Sequence, residues 1–175
     1  FSKKMGIGFY DDKIKNVIIS DNGDIEMLVG EYSNYDYDFY IDATGFRKVL
    51  IGEMGVNWNS YGEYLKMNSA ITFQTDEEDE YNLWTLSKTM DAGWLFRIPV
   101  QDRYGNGYIF DDNYITEEQA KKEVENYFNK EIDFGKKFKF DPGAVDRAWI
   151  NNCVAVGLSS AFVEPLEASS IGTTI

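Results

Sequence analysis

The sequence predicts a mixed α/β fold of the α+β kind, with many β-hairpins and few helices. Short runs of β-branched and aromatic residues recur between turn signals along much of the chain. One segment, 117–131, combines a helix start signal with an apolar stripe at helical spacing. Hydrophobic residues make up 43%, with 4 Trp, 12 Tyr and 12 Phe, which is enough for a core and is atypical of disorder.

The first half of the chain predicts strands joined by tight turns. Strands at 14–20 and 24–29 flank Asp21-Asn22-Gly23, and Asn-Gly supplies the positive φ angles that a hairpin turn needs. A short strand at 39–41 ends in Asp-Ala-Thr-Gly at 42–45. The segment 83–90 is compatible with either a strand or a helix.

A second hairpin is predicted for residues 94–110, with Gly105-Asn106-Gly107 as its turn. The period of two along a strand puts Trp94, Phe96, Ile98 and Val100 on one face. An aromatic face of this kind usually belongs to a core, and it is also suited to lining a site for a flat ligand.

The helix at 117–131 is predicted to begin at Thr116, with Gln119 completing a capping box. Its apolar stripe consists of Ala120, Val124, Tyr127 and Phe128. Further on, 151–157 is predicted to be a buried strand, and a helix is predicted to begin near Ala168.

Charge and composition exclude several functions. The net charge is −13, which disfavours binding to nucleic acid or to an anionic membrane. The chain has no histidine, so Ser-His-Asp catalysis, Cys-His catalysis and most zinc sites are excluded, and no metal ligands are predicted. The single cysteine, Cys153, lies in an apolar run and favours a buried side chain in a reducing, cytoplasmic compartment.

Two carboxylates are the first candidates for chemistry. Glu164 and Glu167 carry the only charges between Cys153 and Ile171. Apolar surroundings raise the pKa of a carboxyl group and suit it to proton transfer, although one Glu could instead cap a helix and the other be exposed. If a helix begins after Glu167, the free amides that follow it form an anion site, or simply bind water.

Four motifs, in this order, make residues 36–175 resemble the flavin-dependent tryptophan halogenases. They are Asp-Ala-Thr-Gly-Phe-Arg at 42–47, Trp-x-Phe-x-Ile-Pro at 94–99, Asn-Cys-Val-Ala-Val-Gly-Leu-Ser at 152–159 and Phe-Val-Glu-Pro-Leu-Glu at 162–167. The last motif is the most specific. The high ratio of Lys to Arg, 13 to 4, hints at a microbial or viral member.

The resemblance implies part of an FAD-binding fold like that of the flavin monooxygenases. Its FAD-binding portion would comprise 1–67 and 145–175, and 68–144 would be an inserted substrate-side portion. The implied reaction uses reduced FAD from a separate flavin reductase, O2 and chloride, bromide or iodide. The resulting hypohalous acid would halogenate the aromatic ring of a substrate that resembles indole or tryptophan.

Carried over to this chain, the resemblance assigns site residues by motif. Glu167 would be catalytic, and the backbone amides of Ser169 and Ser170 would bind the halide. The remaining assignments are Thr44, Gly45, Gly157 and Leu158 to the cofactor, and Trp94, Phe96, Ile98 and Pro99 to the space between flavin and substrate.

Three features depart from the family pattern. Phe96 stands where the family usually has a second Trp, and Ala168-Ser169-Ser170 differs from the usual residues after the Glu. The phosphate-binding glycines and the catalytic Lys are expected to lie before Phe1. We therefore expect a chain truncated at both ends and inactive by itself. A flavin-dependent aromatic monooxygenase and a non-catalytic ligand-binding module remain alternatives, and substrate, halide and a homo-oligomeric state stay open.

Overall fold

The computed structural model describes residues 2–76 and 83–163. Contacts divide the chain into two compact units. The first consists of Phe1–Asn57 and Val145–Ser160, and the second of Trp58–Ala144 and the stretch that begins at Ala161. The predicted mixed, strand-rich fold with few helices is confirmed.

The first unit contains two small sheets. One is antiparallel, in the order β1-β2-β3. In the other, β13 lies between β12, which is antiparallel to it, and β4, which is parallel to it. The strands are β1 (Ile14–Ile19), β2 (Ile25–Gly30), β3 (Asn34–Tyr35), β4 (Tyr40–Asp42), β12 (Trp149–Ile150) and β13 (Cys153–Ala155).

The second unit is built on a five-stranded antiparallel sheet in the order β10-β6-β9-β8-β7, with a smaller sheet in the order β14-β11-β5. The elements are β5 (Trp58–Ser60), β6 (Ser69–Asp76), β7 (Leu86–Met90), β8 (Gly93–Val100), β9 (Arg103–Phe110), α1 (Glu117–Phe128), β10 (Phe134–Lys139), β11 (Gly143–Val145) and β14 (Ala161–Phe162).

The large sheet packs on both faces, because alternate side chains of a strand point in opposite directions. On one face, Leu95 and Tyr108 join a core that includes Ala120 and Val124 of α1. The other face carries a second cluster around Ala70, Ile109 and Phe140, with Trp94 and Phe96 packed against it.

Both predicted hairpins are present, but the turn of the second one was assigned wrongly. Residues 101–102 form the turn, where Asp102 has a φ of 64°, and Gly105 and Gly107 lie inside β9. Gly107 is needed within the strand because a Cβ there would be 2.3 Å from Cζ of Phe96. The glycine makes room for an aromatic ring and does not bend the chain.

The predicted capping box of the helix is confirmed, and its predicted end is wrong. The Thr116 side chain accepts a hydrogen bond from the Gln119 amide, and the Gln119 side chain accepts one from the Thr116 amide. The helix ends at Phe128 because Asn129 takes a left-handed conformation, with a φ of 50°. Tyr127, which was predicted to belong to the apolar stripe, is 42% exposed.

The segment 83–90, for which two conformations were open, forms β7. The buried strand predicted for 151–157 is confined to Cys153–Ala155, because Asn151, with a φ of 47°, and Asn152 form the turn from β12. In the described part of the chain, no helix is both long enough and apolar enough to cross a membrane.

Candidate functional site

The four residues assigned to a cofactor lie in two turns at the same end of a parallel strand pair. The register pairs Cys153 with Tyr40 and Ala155 with Asp42, so β13 and β4 end side by side. A 3-10 turn follows each strand, Gly45–Arg47 after β4 and Gly157–Ser159 after β13. The carboxyl ends of parallel strands are where α/β folds commonly bind ligands.

Both turns expose backbone. Gly45 has a φ of 69° and Gly157 a φ of 59°, a conformation that is cheap for glycine and strained for most other residues. Apart from chain neighbours, no atom of the described residues lies within 4 Å of the position that a Cβ would take at either glycine. A ligand can therefore approach the main chain closely at both turns.

The Asp42 side chain accepts hydrogen bonds from residues of both turns. It is fully buried, and its carboxylate accepts five hydrogen bonds. Oδ1 accepts from the Thr44 amide (2.9 Å), the Thr44 hydroxyl (2.7 Å) and the Ser159 hydroxyl (3.1 Å). Oδ2 accepts from the amides of Leu50 (2.8 Å) and Ile51 (2.9 Å).

These hydrogen bonds keep Asp42 ionised. Burial by itself raises the pKa of this carboxyl, but the donors of Thr44, Ile51 and Leu50 stabilise the charged form, and the pKa is lowered overall. A carboxylate that accepts several amide hydrogen bonds is held firmly in one orientation. Asp42 therefore fixes the backbone from residue 44 to residue 51.

The sequence motifs drew attention to Thr44 and Gly45 but gave no role to Asp42 or Ser159. The Ser159 hydroxyl also lies 3.1 Å from the carbonyl oxygen of Gly45, so it bridges the two turns. The sequence signal that could have indicated this role is an acidic residue at the very end of an apolar strand, where burial requires several donors.

Cys153 is fully buried and free, as its sequence context predicted. Burial, with a smaller contribution from the Asp42 charge, raises the pKa of its thiol to about 11. A thiol in this environment is not a nucleophile near neutral pH. Among the described residues, no cluster of His, Cys, Asp and Glu side chains could hold a metal ion.

The residues of the Trp-x-Phe-x-Ile-Pro motif lie in β8 of the second unit. Trp94 and Phe96 are partly buried and share one face with Ile98, which is 41% exposed. Pro99 lies on the opposite side of the strand, because it is odd-numbered like the buried Leu95. The sheet therefore brings three of the four residues together and separates Pro99 from them.

A cleft of about 660 Å³ opens beside this face. Phe96 and Ile98 line one part of it, Thr72 and Gln74 another, and Gly105 lies between them on β9. The described part of this unit thus offers an apolar wall next to polar side chains.

The motif that contains Glu167 begins on the face of the large sheet that carries Trp94 and Phe96. Phe162 packs against the cluster that Trp94 and Phe96 also contact, and its ring lies 4.9 Å from that of Phe140, edge to face. The residues assigned to catalysis and halide binding, Glu167, Ser169 and Ser170, lie outside the described residues, as does Glu164.

Sequence and structure comparisons agree on one family. A profile described as tryptophan halogenase matches residues 1–175. The chain is 32% identical over 177 residues to tryptophan 7-halogenase RebH of Lentzea aerocolonigenes, covering 97% of this chain and 33% of that protein. It is similar to the crystal structure of the tryptophan 6-halogenase SttH from Streptomyces toxytricini (TM-score 0.91, 33% identity, 98% of this chain and 35% of that chain).

BrvH, a flavin-dependent halogenase from Brevundimonas sp. BAL3, has a similar structure as well (TM-score 0.90, 30% identity, 98% of this chain and 36% of that chain). The chain spans about a third of the length of the relatives that it matches.

Proposed function

Because the chain belongs to the tryptophan halogenase family, we propose that it is part of an FAD-dependent halogenase acting on an aromatic substrate of the indole or tryptophan kind. The observation that carries the proposal is the meeting of two open glycine turns, at Gly45 and Gly157, at the ends of one parallel strand pair.

The residues present at these turns fit a flavin. Thr44, Gly45, Gly157 and Leu158 would hold it through exposed main chain, since a Cβ at either glycine would occupy the space that the ligand needs. Bound in its reduced form, FAD would supply, with O2 and a halide, the hypohalous acid that halogenates the substrate.

Glu167 is proposed to orient the halogenating species and to accept the proton that the aromatic ring loses. The amides of Ser169 and Ser170 are proposed to bind the halide, since free backbone N–H groups favour anions. Supporting this, Phe162 begins the same motif and packs against the cluster that Trp94 and Phe96 also contact.

The face formed by Trp94, Phe96 and Ile98 is proposed to line the path from flavin to substrate. Pro99 belongs to the same motif but lies on the opposite face of the strand. The indole N–H of Trp94 is buried and has no hydrogen-bond partner in the part of the chain that the structure describes. Phe96 stands where the family usually has a second indole, so the motif keeps a single indole N–H.

The proposal includes a separate flavin reductase as a transient partner and a cytoplasmic location, which the buried free Cys153 supports. It also gives the FAD-binding role to 1–67 and 145–175 and the substrate-side role to 68–144. The compact unit of residues 1–57 and 145–160 supports this division in part, whereas 58–67 and the stretch that begins at Ala161 belong to the other unit.

The test is turnover by the full-length protein with reduced FAD, O2, bromide and tryptophan or indole, followed by mass spectrometry. A product with the paired bromine isotope pattern, absent when bromide is omitted, is expected. A product that is only hydroxylated would show an aromatic monooxygenase instead. Absence of any turnover, with the aromatic compound still bound, would favour a ligand-binding module.

Glu167 is tested by exchange to glutamine, which keeps the shape and removes the charge. Glu167→Gln should abolish halogenation while flavin binding persists, and Glu164→Gln in the same motif is the matched control that should retain it. Unchanged halogenation by Glu167→Gln would remove this residue from the mechanism.

A further inference from the structure

We propose that Asp42 and Ser159 are positioning residues that hold the two flavin-facing turns at a fixed spacing. This inference rests on the proposed function, because it concerns the turns at Gly45 and Gly157 that would contact the cofactor. It assigns a role to two buried residues that need not touch the flavin themselves.

The strand ladder alone does not fix the turns. Regular pairing between β4 and β13 stops at Asp42 and Ala155, with one further main-chain bond from the Val156 amide to the Asp42 carbonyl oxygen (2.9 Å). Beyond that point, the Ser159 hydroxyl, with Asp42 Oδ1 and the Gly45 carbonyl oxygen each at 3.1 Å, is a side-chain link between the turns.

Asp42 is suited to this role because all five groups around its side chain donate to it, so both of its terminal atoms have to be acceptors. An asparagine has the same size, but its amide nitrogen cannot accept a hydrogen bond. Whichever oxygen it replaced, two or three of the donors from Thr44, Leu50, Ile51 and Ser159 would lose their acceptor in a buried site. The carboxylate therefore joins the turn after β4 to Leu50 and Ile51 and, through Ser159, to the turn after β13.

The adjacent Ser160 provides a matched control. Its hydroxyl donates to the Gly157 carbonyl oxygen (2.8 Å), within one turn, and the side chain is buried like that of Ser159. Ser159→Ala and Ser160→Ala each remove one hydroxyl from the same segment, but only Ser159→Ala removes the bridge between the turns.

The experiment measures the Kd of FAD for the full-length protein by flavin fluorescence, together with the visible spectrum of bound FAD and the midpoint of thermal unfolding. Ser159→Ala should weaken FAD binding about three- to tenfold, the worth of one buried hydrogen bond. Asp42→Asn should weaken it roughly tenfold or more, since its hydrogen bonds involve a charge. Ser160→Ala should change the Kd less than about twofold, with a similar unfolding midpoint to Ser159→Ala.

The outcomes separate this inference from the proposed function. An altered spectrum of bound FAD in Ser159→Ala but not in Ser160→Ala supports the inference, because a general loss of stability would affect both variants alike. Equal changes in Kd for the two variants, or none, overturn it while leaving the halogenase proposal intact. Failure of the wild-type protein to bind FAD overturns both.

Discussion

Phe96 occupies its place in the sheet because Gly107 has no side chain. Replacing this glycine with alanine tests whether that missing side chain sets the position of the Phe96 ring. A Cβ at position 107 would lie 2.3 Å from Cζ and 2.4 Å from Cε1 of the Phe96 ring. The two residues are direct cross-strand partners. Gly107→Ala therefore forces the ring to move.

The size of the effect follows from two opposing terms. Overpacking of this kind destabilises by about 1–3 kcal/mol. Alanine in place of glycine in the interior of a strand stabilises by about 0.5–1 kcal/mol, and the φ of Gly107 lies outside the left-handed region, so the backbone accepts the change. The net expectation is a loss of up to about 2.5 kcal/mol, with a central value near 1 kcal/mol.

Gly105 is the matched control, two residues away on the same strand. A Cβ there would meet its nearest described atoms only at 3.9 Å and 4.0 Å, so Gly105→Ala should be neutral or stabilising. Thermal unfolding of the full-length protein, followed by circular dichroism, should show a lower midpoint for Gly107→Ala and not for Gly105→Ala.

A double substitution isolates the clash between the two side chains. In a Phe96→Ala background the ring is gone, and Gly107→Ala should then raise the midpoint, reversing its sign. If Gly107→Ala lowers the midpoint equally with and without Phe96, the packing argument is refuted.

Three further predictions concern Tyr108, Asp112 and Cys153. The Tyr108 hydroxyl donates to Glu123 on α1 at 2.6 Å, so Tyr108→Phe should destabilise by about 1–3 kcal/mol in thermal unfolding, and no loss would contradict the role of this bond. The Lys137 ammonium is the main group that lowers the pKa of Asp112 below the usual 3.8, so this carboxylate stabilises the fold above about pH 4 and less as the pH falls. Asp112→Asn should therefore lower the unfolding midpoint at pH 7 and by steadily less below about pH 4, whereas a pH-independent loss would contradict this. Cys153 should react with iodoacetamide at pH 8 only after unfolding, and rapid reaction of the native protein would contradict its burial.

Local signals in the sequence predicted local structure well. The hairpin turn at Asp21-Asn22-Gly23 and the Thr116 capping box each depend on neighbouring residues alone, and both are confirmed, although Gly23, with a φ of 87°, is the one residue of that turn with a positive φ. The turn assigned to residues 105–107 was wrong because glycine marks tight turns and also close approaches, and only the pairing of β8 with β9 distinguishes the two.

The arrangement of the candidate site could be predicted only in part. Motifs singled out Gly45 and Gly157, but nothing local indicates that strands more than a hundred residues apart pair in parallel. The buried Asp42 carboxylate and its partner Ser159 depend on that pairing, so their roles emerge only with the tertiary structure. The roles assigned to Glu167, Ser169 and Ser170 remain predictions.

The parallel pairing of β4 with β13 also sets an order of events during synthesis. The five-stranded sheet and α1 are contiguous along the chain, so they can fold as soon as residue 139 has left the ribosome. Strand β4 emerges much earlier but has to wait for Cys153–Ala155 before it gains its parallel neighbour. The small sheet of β4 is therefore completed only after the five-stranded sheet, and a nascent protein interrupted near residue 145 would have all strands of the five-stranded sheet but no parallel partner for β4.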